Sequence, residues 1–233
     1  MSQQRAGQEL GIGVRQVKRL VKRLVEARIE LIEAALPDRY GDFGATLAAE
    51  KLSDHEGITV SKVTVRQIQI RLGLLQPKRR LDKRMFQVRE CRPRFGELIQ
   101  IDGSHHAWLK DREPKCTLIV FIDDAIGQLT GLSFSLAETT RAYLDVLRSH
   151  VLANGIPLAF YSDRHGIFRT NSKELDTADG LTAFGRVIGR LGIEQICAST
   201  PQAKGRVEGA NQTLQDCLIK ELWLEEMSDY AAA

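Results

Sequence analysis

The sequence has no apolar run long enough to span a bilayer; its longest candidate, residues 116–122, has only the length of a strand. Its opening residues, Met1-Ser2-Gln3-Gln4-Arg5, lack the basic-then-apolar pattern of a secretion signal. No C-x-x-C pair occurs either, because Cys91, Cys116, Cys197 and Cys217 are widely scattered. That spacing argues against a zinc site and against a disulfide framework. In the apolar strand patterns a thiol acts as a small hydrophobe. These absences lead us to expect a cytoplasmic protein with no membrane partner. What is present is ordinary for a globular chain: 43% hydrophobic and 27% charged residues over 233 positions, enough for one large domain or two small ones.

The charge is unevenly placed. Residues 1–94 hold 20 Lys and Arg against 11 Asp and Glu, a net of +9, whereas residues 95–233 carry a net of −6. A basic first half can neutralise phosphates and release counterions, the general source of nucleic-acid affinity.

Within residues 1–36, Val14, Val17, Leu20 and Leu24 recur at helical spacing after Gly11-Ile12-Gly13, with basic residues between them. A short helix, a glycine turn and a basic second helix predict a helix-turn-helix. Arg15, Gln16 and Arg19 would then meet DNA bases or phosphates. After an expected break at Pro37-Asp38, residues 37–76 read as a second such unit. It has a helix over 46–52, a turn over 54–57 and a helix over 61–72 that carries Arg66. Residues 77–94, with Lys78, Arg79 and Arg80, read as an extended basic linker able to track a phosphate backbone.

From Phe95 the pattern changes. Strands are expected at 98–102, 116–122, 129–135, 158–161 and 193–198, and helices at 138–154, 181–191 and 204–224. That order predicts a mixed α/β sheet of five strands with flanking helices over residues 95–233. Asp102 ends the first predicted strand, Asp163 follows the fourth, and Glu208 lies near the start of the last helix. If the first and fourth strands pair, the two aspartates meet and Glu208 reaches in from the polar stripe that it shares with Asn211, Gln212 and Gln215. Three converging carboxylates repel one another unless they hold cations. Hard oxygen ligands suit Mg²⁺ or Mn²⁺, and a pair of ions could drive in-line phosphoryl displacement. Lys204 and Arg206 could hold a phosphate nearby. Asp123 and Asp124 read as turn residues, and His105 and His106 receive no role.

Four stretches carry a specific resemblance: residues 95–104 (FGELIQIDGS), 121–125 (FIDDA), 161–168 (YSDRHGIF) and 202–216 (QAKGRVEGANQTLQD). On these the chain resembles bacterial insertion-sequence transposases of the retroviral-integrase superfamily, most closely the ISNCY-type group. The resemblance implies an RNase H-like fold, with Asp102, Asp163 and Glu208 as the catalytic acids holding two Mg²⁺ or Mn²⁺ ions. It implies cleavage and strand transfer of double-stranded DNA, with the N-terminal units on the terminal inverted repeats and the protein self-associated on DNA in a bacterial nucleoid. Gly209 and Cys217 stand where the family usually has arginine, and the chain resembles a copy shortened at both ends. The alternative expectation is therefore an impaired fragment that occupies element ends without cutting them.

Overall fold

In the computed structural model, residues 3–76, 90–169, 181–197 and 205–230 are described. The chain forms two compact units, Met1–Asp82 and Lys83–Ala233.

The first unit is helical: α1 (Gln3–Leu10), α2 (Val14–Arg39), α3 (Ala45–Glu56) and α4 (Lys62–Arg71). Gly11, with φ of 62°, turns the chain between α1 and α2. The expected break at Pro37 does not occur, because α2 runs through Pro37 to Arg39. A proline inside a helix costs about 3 kcal/mol, chiefly through the lost bond to the carbonyl four residues back. Here Leu36 and Tyr40 flank it, both fully buried. Burial of side chains this size stabilises by about 1.5–3 kcal/mol each, enough to offset the loss. The expected boundary between residues 36 and 37 therefore falls inside a helix. The expected turn over 54–57 is likewise mostly helix, since α3 continues to Glu56. Gly57 ends it in the left-handed conformation (φ 65°), and Ile58 N–H donates to the Leu52 carbonyl. Ser61 caps α4, its hydroxyl accepting from Thr64 N–H.

The second unit is built on a five-stranded sheet of β1 (Ile99–His106), β2 (Cys116–Asp123), β3 (Leu129–Ser135), β4 (Ala159–Ser162) and β5 (Glu194–Cys197). The strand order is β3-β2-β1-β4-β5, with β2 antiparallel to both its neighbours and β4 parallel to β1 and β5. This is an RNase H-like mixed sheet, as expected. One face, with Ile99, Ile101, Ile119, Phe121 and Phe160, packs on α5 (Thr140–Asn154) and α6 (Ala183–Arg190). The other face, with Leu118, Val120 and Ile122, packs on α7 (Gly205–Leu224). β2 is buried along its whole length, which explains its unbroken apolar run. β1 is longer than expected. Asp102 does not end it, because β2 pairs with β1 as far as His106↔Cys116. What ends near Asp102 is the pairing with β4, whose last recorded partner is Tyr161, opposite Gln100. Among the described residues no helix is long and apolar enough to cross a membrane.

Candidate active site

The site is built where α7 lies along β1. Three polar contacts join them in register: Val207 N–H to Gln100 Oε1 at 3.1 Å, Asn211 Nδ2 to Asp102 Oδ2 at 2.9 Å, and Gln215 Nε2 to Ser104 Oγ at 2.9 Å. Strand residues two apart share a face about 6.6–6.8 Å apart, and helix residues four apart rise about 6 Å. The two repeats match, so each helix step meets the next strand residue on that face. Gln100 anchors the start. Its amide donates to Asp124 Oδ1 at 2.7 Å while its carbonyl takes one of the N–H groups that the first turn of α7 leaves unpaired. Gln100, Asp123 and Asp124 are almost wholly buried.

Asp102 and Asp163 each lie two residues past the parallel pair Gln100↔Tyr161, and both carboxylates bear on the Tyr143 hydroxyl. Asp163 Oδ1 accepts from His165 N–H at 2.9 Å, which fixes that carboxylate in its turn. On the other side of β1 the Tyr143 hydroxyl donates to Glu138 Oε1 at 2.7 Å. Burial first, then the Glu138 carboxylate, then Asp102 and Asp163, push the Tyr143 hydroxyl far above the ordinary tyrosine range. One buried phenol thus senses three acids. Gly103 makes room for this arrangement: a Cβ there would stand 2.9 Å from the Glu138 carboxyl and from the Tyr143 hydroxyl oxygen.

Glu208 lies on α7 one turn before Asn211 and is exposed. Among the described residues no three His, Cys, Asp or Glu side chains stand close enough to hold a metal ion. Among the described residues, then, Asp102, Asp163 and Glu208 do not close into one such group. The surroundings still suit a hard cation. Asp102 offers a carboxylate, and the Asn211 Oδ1, in an amide whose nitrogen is bonded to Asp102, is buried with no hydrogen-bond partner among the described residues.

The remaining sequence-predicted residues have mixed positions. Arg206 donates to the Ala125 carbonyl and to Cys91 Sγ, both at 3.3 Å, so its guanidinium braces the β2–β3 turn. Arg15, Arg19 and Arg66 are exposed. Gln16 is exposed too, but its Oε1 accepts from Gly13 N–H at 3.1 Å at the start of α2. Lys78, Arg79, Arg80 and Lys204 lie outside the described residues. Asp123 behaves as a turn residue, accepting from Ala125 and Ile126 N–H, whereas Asp124 holds Gln100 and the Arg92 N–H. His105 bonds Thr117, and His106 stacks edge-on with Trp108. All four cysteines are free.

Sequence reasoning passed over Gln100, Ser104, Glu138, Tyr143, Asn211 and Gln215 as site residues. Two of these had a visible signal. Gln100 lies two residues before Asp102 on the same strand face, and Asn211 lies three residues after Glu208 on its helix.

No family model matches the chain. A Sinorhizobium fredii (strain NGR234) protein named "Putative transposase y4bF" is 43% identical over 242 residues, covering 94% of this chain and 52% of the relative. The "Transposase for insertion sequence IS1202" of Streptococcus pneumoniae is 38% identical over 209 residues, covering 74% of this chain and 44% of the relative. Among solved structures, the HTLV-2 integrase catalytic core domain in complex with magnesium matches with a TM-score of 0.43 and 19% identity, covering 59% of this chain and 78% of that one. A simian T-cell lymphotropic virus intasome in complex with the PP2A regulatory subunit B56 gamma matches with a TM-score of 0.45 and 16% identity, covering 78% of this chain and 64% of that one. These structural likenesses are too loose to bear on activity. The sequence matches are much closer: the chain is similar to these two bacterial proteins named as transposases over 94% and 74% of its length, and it spans about half the length of the curated relatives it matches.

Proposed function

We propose that the chain is the DNA-handling and catalytic portion of an insertion-sequence transposase that cuts and joins double-stranded DNA with divalent metal. The observation that supports this reading is the parallel pairing of β1, which carries Asp102, with β4, which leads into Asp163, while α7 and its Glu208 are anchored on β1 through Asn211. Asp102, Asp163 and Glu208 would hold Mg²⁺ or Mn²⁺. When bound, a pair of such ions supplies charge stabilisation at the scissile phosphate and activates a water or a 3′-hydroxyl. The chain's own residues do the positioning. Gln100 and Asn211 hold α7 against β1, and the turn amide of His165 fixes Asp163. The exposed Arg15, Arg19 and Arg66, on the helices of the basic first unit, would meet the terminal inverted repeats, as would Gln16. Target DNA would lie beside the acids. Work on two DNA ends calls for self-association, and a DNA-acting protein of this kind would reside in the bacterial cytoplasm at the nucleoid.

The test is nicking of a plasmid that carries the sequences flanking the coding region. Intact chain should nick it with Mg²⁺ or Mn²⁺, and Asp163→Asn should abolish nicking. If the wild-type protein does not cut with either ion, or cuts equally well as Asp163→Asn, the catalytic reading fails. Among the described residues no three ligating side chains stand close enough to hold a metal ion, which favours a second reading, in which the chain occupies element ends without cutting them. Sequence-specific binding that weakens steeply with salt, without any nicking, would select it.

A further inference from the structure

Asn211 is one of two buried polar side chains of α7, the other being Lys220, which donates to Asp216. Asn211 is only 9% exposed, although it sits on the stripe expected to face outwards with Glu208. Its Nδ2 donates to Asp102 Oδ2 at 2.9 Å, which settles the orientation of the amide: reversed, it would set oxygen against oxygen. With Nδ2 so committed, Oδ1 is held close to the Asp102 carboxylate by the planar group. That oxygen is buried and meets no donor among the described residues.

A buried acceptor left unmatched is costly, and native interiors avoid it unless something else supplies the donor. Leucine would fill the volume without an orphaned oxygen. Packing alone therefore does not explain an asparagine here, but a ligand-bound state does. The neighbouring side chain is one of the two aspartates expected to hold the cation, and waters on Mg²⁺ or Mn²⁺ are strong donors that need acceptors around them.

We propose that Asn211 is a positioning residue of the metal site, holding Asp102 through Nδ2 and accepting a hydrogen bond from a cation-bound water at Oδ1. This rests on the metal-dependent reading given above and adds to the three acids a neutral side chain that orients one of them. The amide binds no ion itself. It has one donor for the carboxylate and one acceptor for the water, and no other uncharged side chain of similar length offers both in one rigid plane.

The test is Mn²⁺ binding to the intact chain, followed by electron paramagnetic resonance, with thermal melting of the metal-free protein in parallel. Asn211→Ala should weaken Mn²⁺ binding by about 10–100-fold, the usual effect of losing an outer partner of a metal ligand. Its metal-free melting temperature should stay close to wild type, since the orphaned oxygen is lost together with the Asp102 bond. If wild type binds Mn²⁺ in a manner that Asp163→Asn abolishes, yet Asn211→Ala binds equally well, the role of Asn211 is refuted and the metal reading stands. The role is refuted equally if Asn211→Ala lowers only the melting temperature. If wild type binds no Mn²⁺, or Asp163→Asn leaves binding intact, the metal reading falls and this inference with it.

Discussion

Gln100→Glu is the most informative single change in the second unit, because it swaps one buried N–H donor for an oxygen and alters almost nothing else. In the wild type the amide nitrogen lies 2.7 Å from Asp124 Oδ1, and the amide oxygen accepts from Val207 N–H. Gln100 is 1% exposed and Asp124 is fully buried. The variant keeps the acceptor for Val207 but sets a second carboxylate against Asp124. Loss of a hydrogen bond to a charged group costs about 1.5–3 kcal/mol, and an uncompensated buried charge about 3–5 kcal/mol. The two costs overlap, since both describe Asp124 without its donor, so about 3–5 kcal/mol is expected for the pair. For a unit of this size each kcal/mol moves the melting temperature by about 2–4 °C, so the shift should be roughly 6–20 °C downwards at about pH 7.5. The deficit should shrink towards about pH 5, near the ordinary carboxylate range. Repulsion raises the proton affinity of the introduced carboxyl in the folded state above its unfolded value. Its stabilising protonated form is therefore fully present at low pH and lost as pH rises. Calorimetric melts at both pH values decide the matter. A melting temperature within about 2 °C of wild type at the higher pH, well below the expected shift, would show that Gln100 does not anchor α7. β1 would then not position Glu208 through that helix.

Three further outcomes are expected. Gly103→Ala should force the Glu138–Tyr143 pair off β1 and cost about 1–3 kcal/mol in urea denaturation, with a change in the near-ultraviolet tyrosine signal. Unchanged stability would mean that Glu138 moves aside freely. Gly209→Ala should stabilise α7 by about 0.5–1 kcal/mol in thermal melts, because a Cβ there meets open space and glycine is a poor helix former; destabilisation would count against this placement of the helix. His150 is buried against Phe121 and Phe160, and burial lowers its pKa below the ordinary 6.5. Its contribution is present above about pH 6.5 and is lost as pH falls through the depressed value, at up to about 1.4 kcal/mol per pH unit. Melting temperatures of the wild type should therefore drop more steeply below about pH 6.5 than those of His150→Phe, and parallel curves would refute this.

Much of the architecture could be read along the chain, because periodicity is a local property. The all-apolar stretch of β2 announced a strand buried on both faces. The spacing of Val207, Ala210, Leu214 and Leu218 announced the face that α7 turns to the sheet. The first and fourth strands could be paired from strand order alone, since a strand following a crossover helix commonly returns beside the first.

Tertiary packing decided the rest. Pro37 reads as a stop in any window of sequence, yet α2 passes through it because Leu36 and Tyr40 find a core to enter. Asp102 reads as the end of a strand, yet β2 carries β1 four residues further by supplying partners on one side only. Asn211 and Gln100 look like solvated amides until α7 settles on β1 in one register, which buries both and gives each its partner. A pattern of apolar residues states which face of an element is covered. Which single polar atom meets which other depends on how two elements slide and turn against each other, and only the folded chain fixes that.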